Sequence, residues 1–283
     1  MQTTQAINNN KKLIFCSYSC IYSSLVLNKL LEDKNIDVVA IVNSSRILKP
    51  DYGVLTGSLK QIRLSGWRYS TYLFLITDIF HWLQAVLTLR KQSLKTIHGI
   101  AKQNDIPIIN TKDINGKESI DFIRNHQADF LLAAHFNQLV KPEILAMPSL
   151  ECLNIHPSLL PAFKGVDPVF YAILQKQGGV GVSLHRMAES FDTGEVLLQA
   201  EQAIAITGNC LFSINCELFV KGAELAVNWI NGVQPPTIPT LLENDDQYDS
   251  WPTVEKVAQF SGSGSKLMCL LKYLSIIFTG KQA

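Results

Sequence analysis

Apolar residues in the first part of the chain fall into short runs separated by a segment with helical spacing. Residues 13–18 and 38–42 are continuous apolar runs, and between them leucines recur at helical spacing over residues 25–31. Short apolar runs predict strands buried on both faces, and the intervening spacing predicts a helix. The sequence therefore predicts that the fold opens with a strand, a helix and a second strand.

The same alternation continues through the middle of the chain. Residues 106–109, 130–134 and 152–156 are further short apolar runs, and residues 118–125 have a helical pattern. Apolar strands that alternate with helices are typical of a parallel sheet covered on both faces. We therefore predict an α/β fold, Rossmann-like, with a mostly parallel central sheet and helices on both faces.

Shorter segments follow residue 156. Residues 181–187 and 195–199 predict two strands joined by a turn, and residues 210–232 predict a helix that closes the domain. The proline-rich stretch 234–239 indicates a boundary, because consecutive prolines continue neither a helix nor a central strand. We therefore expect one domain over residues 1–233, with an insertion of uncertain role at 51–104, and a short C-terminal appendix with an apolar tail over residues 234–283.

Two apolar stretches raise the question of membrane contact. Between residues 69 and 89 the only charged residue is Asp78, and a helix buried in the protein or at a homodimer contact is favoured over a membrane span. Residues 266–278 are too short to span a bilayer but suit an amphipathic helix. Packing on the domain and peripheral contact with a membrane surface are both open for this tail.

Composition narrows the class of protein. Hydrophobic residues make up 47% and charged residues 17%, which is ordinary for a globular domain, and the net charge of +1 does not favour a polyanionic partner. The six cysteines include no Cys-x-x-Cys pair, so we expect reduced thiols, no metal site and a cytoplasmic location.

Three polar residues form the candidate chemical site. Asn154 and His156 lie two apart at the end of a predicted strand, so their side chains share one face, and Asp192 lies in a downstream turn. In one cleft the histidine can take a proton from an attacking amine, the asparagine amide can donate to a developing oxyanion, and the aspartate can stabilise the protonated imidazole. This set suits acyl transfer.

Residues 153–165, 181–187 and 191–197 closely resemble the signature of the formyltransferase superfamily. That superfamily includes methionyl-tRNA formyltransferase, glycinamide ribonucleotide formyltransferase, sugar N-formyltransferases and formyltetrahydrofolate deformylase. The resemblance is strongest over residues 129–199. It implies a formyltransferase fold, 10-formyltetrahydrofolate as the one-carbon donor, and a catalytic triad of Asn154, His156 and Asp192.

The resemblance also implies where the folate would bind. The expected pocket lies in the loop after the fourth strand, the loop after His156 and the segment before Asp192, and its residues are Ala134, Phe136, Ser158, Leu159, Leu160, Pro161, Met187, Glu189 and Ser190. His185 and Gly165 are candidates to line the site, although His185 is equally expected as a structural histidine. His135 is expected to be a strand-end residue facing solvent.

The acceptor is less defined than the donor. Few residues follow Pro239, whereas methionyl-tRNA formyltransferases carry a further substantial domain, so a small-molecule amine such as an amino sugar is favoured over tRNA. The alternatives are a methionyl-tRNA formyltransferase-like activity, a deformylase that uses water as nucleophile, and a non-catalytic folate-binding protein. Because the first strand begins near residue 13, the extra domain that precedes the catalytic domain of deformylases is not expected.

Overall fold

The computed structural model describes residues 10–48, 51–86, 93–175, 179–203, 210–233 and 248–280. The strands are β1 Lys11–Tyr18, β2 Ile36–Ser44, β3 Ile108–Thr111, β4 Phe130–Ala134, β5 Glu151–His156, β6 Lys164–Gly165, β7 Gly179–Arg186, β8 Val196–Ala203 and β9 Tyr248–Asp249. The helices are α1 Ile21–Glu32, α2 Val54–Phe74, α3 Phe80–Val86, α4 Ile97–Gln103, α5 Lys117–His126, α6 Pro142–Leu145, α7 Pro168–Leu174, α8 Leu211–Ile230, α9 Val254–Gly262 and α10 Leu270–Thr279. A π-helical turn, Leu75–Ile79, joins α2 to α3.

Seven of these strands form one sheet in the order β3-β2-β1-β4-β5-β7-β8. The strands from β3 to β5 are parallel, whereas β7 pairs antiparallel with both β5 and β8. The strand order reverses between β1 and β4, and ligands of open α/β sheets bind beyond the carboxyl ends of strands near such a point. The predicted fold class, a mostly parallel sheet flanked by helices, is confirmed.

The sheet is covered on both faces because side chains alternate along its inner strands. In β1, Leu13 and Phe15 point to one apolar cluster, and Ile14 and Cys16 point to the other. The first cluster contains the buried faces of α1 and α8, and the second contains Ile123 of α5. Both faces are therefore packed against helices, as the continuous apolar runs predicted.

Most predicted elements are confirmed with small shifts at their ends. The third strand is the clearest shift: it was expected over residues 106–109 and begins only at Ile108. Pro107 has no N–H for the ladder, and the Ile106 N–H donates instead to the carbonyl of Ala101 in α4. The backbone of residue 106 thus belongs to the end of the preceding helix.

The helical segment α2, π-turn and α3 is buried on one side only. Tyr69, Tyr72, Ile76 and Phe80 belong to the larger core cluster, whereas Trp82 is 62% exposed. The predicted helix is confirmed as far as residue 86, and residues 87–89 lie outside the described residues. One side of the helix is buried in the protein, and a homodimer contact on the other side stays a prediction. Within the described part of the chain, no helix is both long and apolar enough to cross a membrane.

The C-terminal segment packs on the same core as the sheet. Tyr273, Ile276 and Ile277 of α10 are buried in the larger cluster, and Tyr273 Oη donates to the Leu75 carbonyl oxygen over 2.7 Å. The predicted tail helix is confirmed, although it begins at Leu270 rather than at residue 266. The proline-rich stretch 234–239 lies outside the described residues, and the domain boundary there stays a prediction.

Candidate active site

The carboxyl end of β5 carries the first two residues of the site. Asn154 and His156 alternate with Ile155, which points into the larger core, so both polar side chains emerge on the opposite face. In the ladder Asn154 lies beside Ala133 of β4 and His185 of β7. Neighbouring strands therefore pair with Asn154 on both sides, and β7 pairs with His156 through Ser183.

Asp192 reaches this strand from the turn between β7 and β8. Its backbone is left-handed, with φ of 55°. Two residues later a glycine is required, because a Cβ on Gly194 would lie 1.7 Å from the Arg186 carbonyl oxygen. Asp192 Oδ2 accepts a hydrogen bond from the Gly165 backbone N–H over 3.0 Å. The carboxylate is thus held by β6 while it projects toward the histidine.

His156 lies between two oxygen atoms. Its Nδ1 is 3.4 Å from Asp192 Oδ1, and its Nε2 is 3.1 Å from the Phe163 carbonyl oxygen. The residue is 5% exposed, so water screens these contacts little. Each ring nitrogen can donate to its oxygen partner when it carries a hydrogen. An imidazole that carries hydrogens on both nitrogens would direct one toward the carboxylate and the other toward the carbonyl.

His185 holds the amide of Asn154. His185 Nδ1 donates to the Arg186 carbonyl oxygen over 2.8 Å, which leaves Nε2 to accept from Asn154 Nδ2 over 2.9 Å. Burial and then the neighbouring His156 lower the pKa of His185 to about 4, against the opposing effect of Asp192. The ring is therefore neutral near pH 7. One amide N–H of Asn154 is occupied by this contact, and the second can serve a substrate oxygen.

The loop after β5 is tied to the neighbouring strands. Ser183 Oγ donates to the Ser158 carbonyl oxygen over 2.6 Å and accepts from the Leu160 N–H over 3.0 Å, while Gln199 Nε2 donates to the Leu160 carbonyl oxygen over 2.7 Å. Ser158 Oγ is buried without a hydrogen-bond partner among the described residues. Of the other two residues predicted here, Leu159 and Pro161 are partly buried.

The remaining predicted folate residues fall into two groups. Phe136 and Met187 pack on the same apolar cluster, and Ala134 is fully buried at the end of β4. Glu189 and Ser190 are exposed on the turn that leads to Asp192. The structure thus gathers Asn154, His156, Asp192, His185 and Gly165 by direct contacts, whereas the folate residues are spread over three loops whose ligand contacts stay predictions.

His135 is only partly exposed and its ring packs against the protein, so the expectation that it faces solvent is wrong. Its Nδ1 lies 3.4 Å from Cys20 Sγ, and its ring packs at 5.6 Å from Tyr22 and 5.9 Å from Phe219 between ring centroids. A left-handed backbone, with φ of 51°, turns the side chain back onto α1 and α8. The expectation failed because no local sequence pattern predicts the left-handed backbone at His135.

Two contacts of the site were missed by sequence reasoning. The Phe163 carbonyl oxygen lies 3.1 Å from His156 Nε2, at a residue with a left-handed backbone, and the N–H of Gly165, which lies in β6, donates to Asp192 Oδ2. Gly165 is itself required, since a Cβ there would lie 2.0 Å from the Asp249 carbonyl oxygen. In the sequence, only the glycine of the Phe163-Lys-Gly165 triplet indicated a backbone constraint at this place.

Metal binding finds no support in the residues that the structure describes, where no group of three or more histidine, cysteine, aspartate or glutamate side chains could hold an ion. The acid–base groups of the site are a histidine and a carboxylate. Together with the amide of Asn154 they can move a proton and bind an oxyanion.

An open, mostly parallel α/β sheet with an Asn-His-Asp cluster at its carboxyl edge defines a protein with a site suited to acyl transfer.

Residues 71–210, about half of the chain, match the family model described as formyl transferase. A methionyl-tRNA formyltransferase from Microcystis aeruginosa is 30% identical over 158 residues, 56% of this chain and 48% of that protein. Another, from Clostridioides difficile, is 27% identical over 59% of this chain and 54% of its own length. Over residues 71–210 the chain therefore matches the formyltransferase family.

Solved structures show the same fold at low sequence identity. A phosphoribosylglycinamide formyltransferase from Bacillus halodurans aligns with a TM-score of 0.51 and 17% identity over 82% of this chain and 100% of that one. A sugar N-formyltransferase from Shewanella aligns with a TM-score of 0.51 and 16% identity, over 85% of this chain and 77% of that one. WlaRD, a sugar 3N-formyl transferase solved with dTDP and 5-N-formyl-THF, aligns with a TM-score of 0.50 and 18% identity. The alignment covers 85% of this chain and 70% of that one. The chain spans about half the length of the curated relatives it matches.

Proposed function

We propose that this protein transfers a formyl group from 10-formyltetrahydrofolate to the amine of a small molecule. The observation that carries the proposal is the contact of His156 with Asp192, beside an Asn154 amide that a neutral His185 holds in place. These three side chains supply a base, a carboxylate partner and an oxyanion donor, which are the groups that formyl transfer to an amine requires. The family match points to the folate donor.

In the proposed reaction the amine nitrogen attacks the formyl carbon. The new nitrogen–carbon bond forms as the bond between the formyl carbon and N10 of the folate breaks, and the leaving nitrogen takes up a proton. His156 accepts the proton that the amine loses, and Asp192 stabilises the imidazolium. The second N–H of Asn154 donates to the formyl oxygen as it gains negative charge. For Nε2 of His156 to act as the base, the neutral ring must carry its hydrogen on Nδ1, facing Asp192 Oδ1, and the amine must take the place of the Phe163 carbonyl beside Nε2.

The folate would lie over the tethered loop after β5. Ser158 Oγ, buried and unused by the described residues, offers a hydrogen bond to a polar ligand edge, and Phe136 with Met187 offers an apolar wall. Ala134, Leu159, Leu160 and Pro161 would shape the pocket, and the backbone at Glu189 and Ser190 would close its other side. WlaRD, which shares the fold, was solved with a formylated folate.

The acceptor is proposed to be a small molecule with a flat apolar face. Phe191 and Tyr248 lie 6.3 Å apart between ring centroids, next to Asp192, and they are 42% and 47% exposed. Half-exposed aromatic rings at the edge of a polar site suit stacking against a sugar or another ring. The net charge of +1 gives no broad attraction for a polynucleotide.

A methionyl-tRNA formyltransferase-like activity is the second candidate, because the curated relatives carry that name. Deformylation is a third outcome, in which water replaces the amine at the same three residues. Both share the donor with the leading proposal, so the assay must identify the acceptor.

Mass spectrometry of amines after incubation with 10-formyltetrahydrofolate tests the proposal. The panel contains amino sugars free and nucleotide-linked, amino acids, glycinamide ribonucleotide and methionyl initiator tRNA. We expect one small amine to gain a formyl group, and His156→Ala to lower the rate by about 100-fold or more. The matched control is His98→Ala, because His98 is an exposed histidine on α4. Full activity of His156→Ala would refute the mechanism.

A further inference from the structure

The first half of α2, residues 54–65, exposes its apolar side and buries its small and polar side. Gly57, Gln61 and Ser65 are buried at four-residue spacing, and Gln61 Nε2 donates to Ser65 Oγ over 2.9 Å. Leu55 and Leu59 are instead 80% and 58% exposed. A surface helix of a protein in water normally has the reverse arrangement. The exposed side is therefore suited to apolar surroundings.

This side, which we name the outer face of α2, ends at a bend in the helix. Gly66 has φ of 76° and interrupts the helical backbone, and Trp67 beyond it is 68% exposed. The apolar residues of the outer face are Leu55, Leu59 and Ile62, which share one side of the helix, and Trp67 is exposed just beyond the bend. An exposed apolar surface of this kind marks an interaction site more often than chance exposure of single residues.

Positive charge surrounds the outer face. Lys60, Arg63 and Arg68 are exposed among its apolar residues, and residues 54–77 contain no aspartate or glutamate. The Arg68 guanidinium lies 5.7 Å from the Trp67 ring centroid. Basic residues beside leucine and tryptophan are typical of helices that lie in the interface of an anionic bilayer. A second copy of the chain would instead bring like charges together on both sides of the contact.

We propose that the outer face of α2 binds the surface of an anionic lipid bilayer. The helix would lie flat, with its leucines and Trp67 at the level of the headgroups and its three cations near lipid phosphates. The other side of α2 carries Tyr69, whose hydroxyl donates to Asp167, two residues beyond the glycine that holds Asp192. The proposal does not depend on formyl transfer.

Flotation of the full chain with lipid vesicles tests this surface. One set of vesicles contains phosphatidylcholine alone, and the other contains equal amounts of phosphatidylcholine and phosphatidylglycerol. We expect binding to the mixed vesicles, weakened by salt, and at least about tenfold weaker binding of the double variant Leu59→Glu, Ile62→Glu. Both positions are exposed, so the fold should be kept, which circular dichroism checks. Leu150→Glu is the matched control, because Leu150 is 52% exposed outside this face.

The outcomes separate the possible partners. Binding to mixed vesicles that is lost in the double variant and kept in Leu150→Glu supports the proposal. No binding of the unaltered chain, or equal binding of the double variant, overturns it. A third result also overturns it: the unaltered chain is a dimer in sedimentation velocity, the double variant is a monomer, and vesicles bind neither protein. The outer face would then serve self-association.

Discussion

The hydroxyl of Tyr69 stabilises a buried carboxylate, and its removal should destabilise the protein in a pH-dependent way. Tyr69 Oη donates to Asp167 Oδ2 over 2.7 Å, and both residues are buried. Asp167 also caps α7, where Oδ1 accepts from the Phe170 N–H over 3.4 Å. Burial raises the pKa of Asp167 to about 6, and the Tyr69 hydrogen bond opposes that rise.

The sign of the pH dependence follows from the raised pKa. Because the folded protein binds this proton more tightly than the unfolded chain, the contribution of Asp167 to stability is present below the unfolded pKa of 3.8 and is lost as pH rises through about 6. Tyr69→Phe raises the folded pKa further. A hydrogen bond to a charged group contributes about 1.5–3 kcal/mol, and one between neutral groups about 0.5–1.5 kcal/mol. We therefore expect Tyr69→Phe to cost about 1.5–3 kcal/mol at about pH 8 and about 1 kcal/mol at about pH 5.

Urea denaturation at the two pH values measures this difference. Tyr72→Phe is the matched control, because Tyr72 lies on the same helix and its hydroxyl is 2.7 Å from the hydroxyl of Tyr22. That variant loses a bond between neutral groups and should cost the same free energy at both pH values. Equal losses for Tyr69→Phe at both pH values would refute the reasoning, because they would mean that Asp167 does not change its charge between them.

Three further predictions concern the candidate active site. Gly194→Ala should abolish formyl transfer while the circular dichroism spectrum is kept, because the new Cβ would meet the Arg186 carbonyl and displace the Asp192 turn; unchanged turnover would contradict this. His185 should remain the neutral Nδ1–H tautomer down to about pH 5 in ¹⁵N NMR spectra, since its pKa lies near 4, and a protonated ring at pH 6 would show otherwise. Ser183→Ala should raise KM for the folate about tenfold with a smaller change in kcat, because the loop at Ser158 and Leu160 loses its tether; a loss confined to kcat would disagree.

The sheet could be predicted because its inner strands are continuous runs of apolar residues. β4 consists of the five apolar residues Phe130–Ala134, all buried, and β1 is apolar on both faces over Leu13, Ile14 and Phe15. The local sequence of such a run is enough to predict that the strand is buried on both faces. Asn154 and His156 could be placed on one face for the same reason, since the side-chain period of a strand is fixed.

The rest of the site depends on contacts between distant residues. The pairing of β6 with β9 joins residues 164–165 to residues 248–249, and both strands are only two residues long. A periodic pattern cannot appear in so short a segment. The left-handed backbones of His135 and Phe163 were missed because residues other than glycine rarely adopt that conformation, although histidine does so more often than phenylalanine.

The exposed apolar side of α2 shows a different limit of sequence reasoning. An apolar helix pattern predicts burial, but it does not state which side meets the protein. The side that carries Gly57 packs closely, since a Cβ there would lie 2.5 Å from Ile47 Cγ2. Close approach of a small residue thus decides the orientation, and only the folded contacts reveal it.

The stoichiometry of transfer tests the central claim most directly. Once the acceptor is identified, 10-formyltetrahydrofolate labelled with ¹³C in the formyl group is consumed by the unaltered chain, His156→Ala and Asp192→Asn, and folate and formylated amine are quantified together. We predict one formylated amine for each folate released, with both variants slowed by about 100-fold or more. Folate release that yields only labelled formate, or variants that retain full rates, would contradict formyl transfer by the Asn154, His156 and Asp192 site.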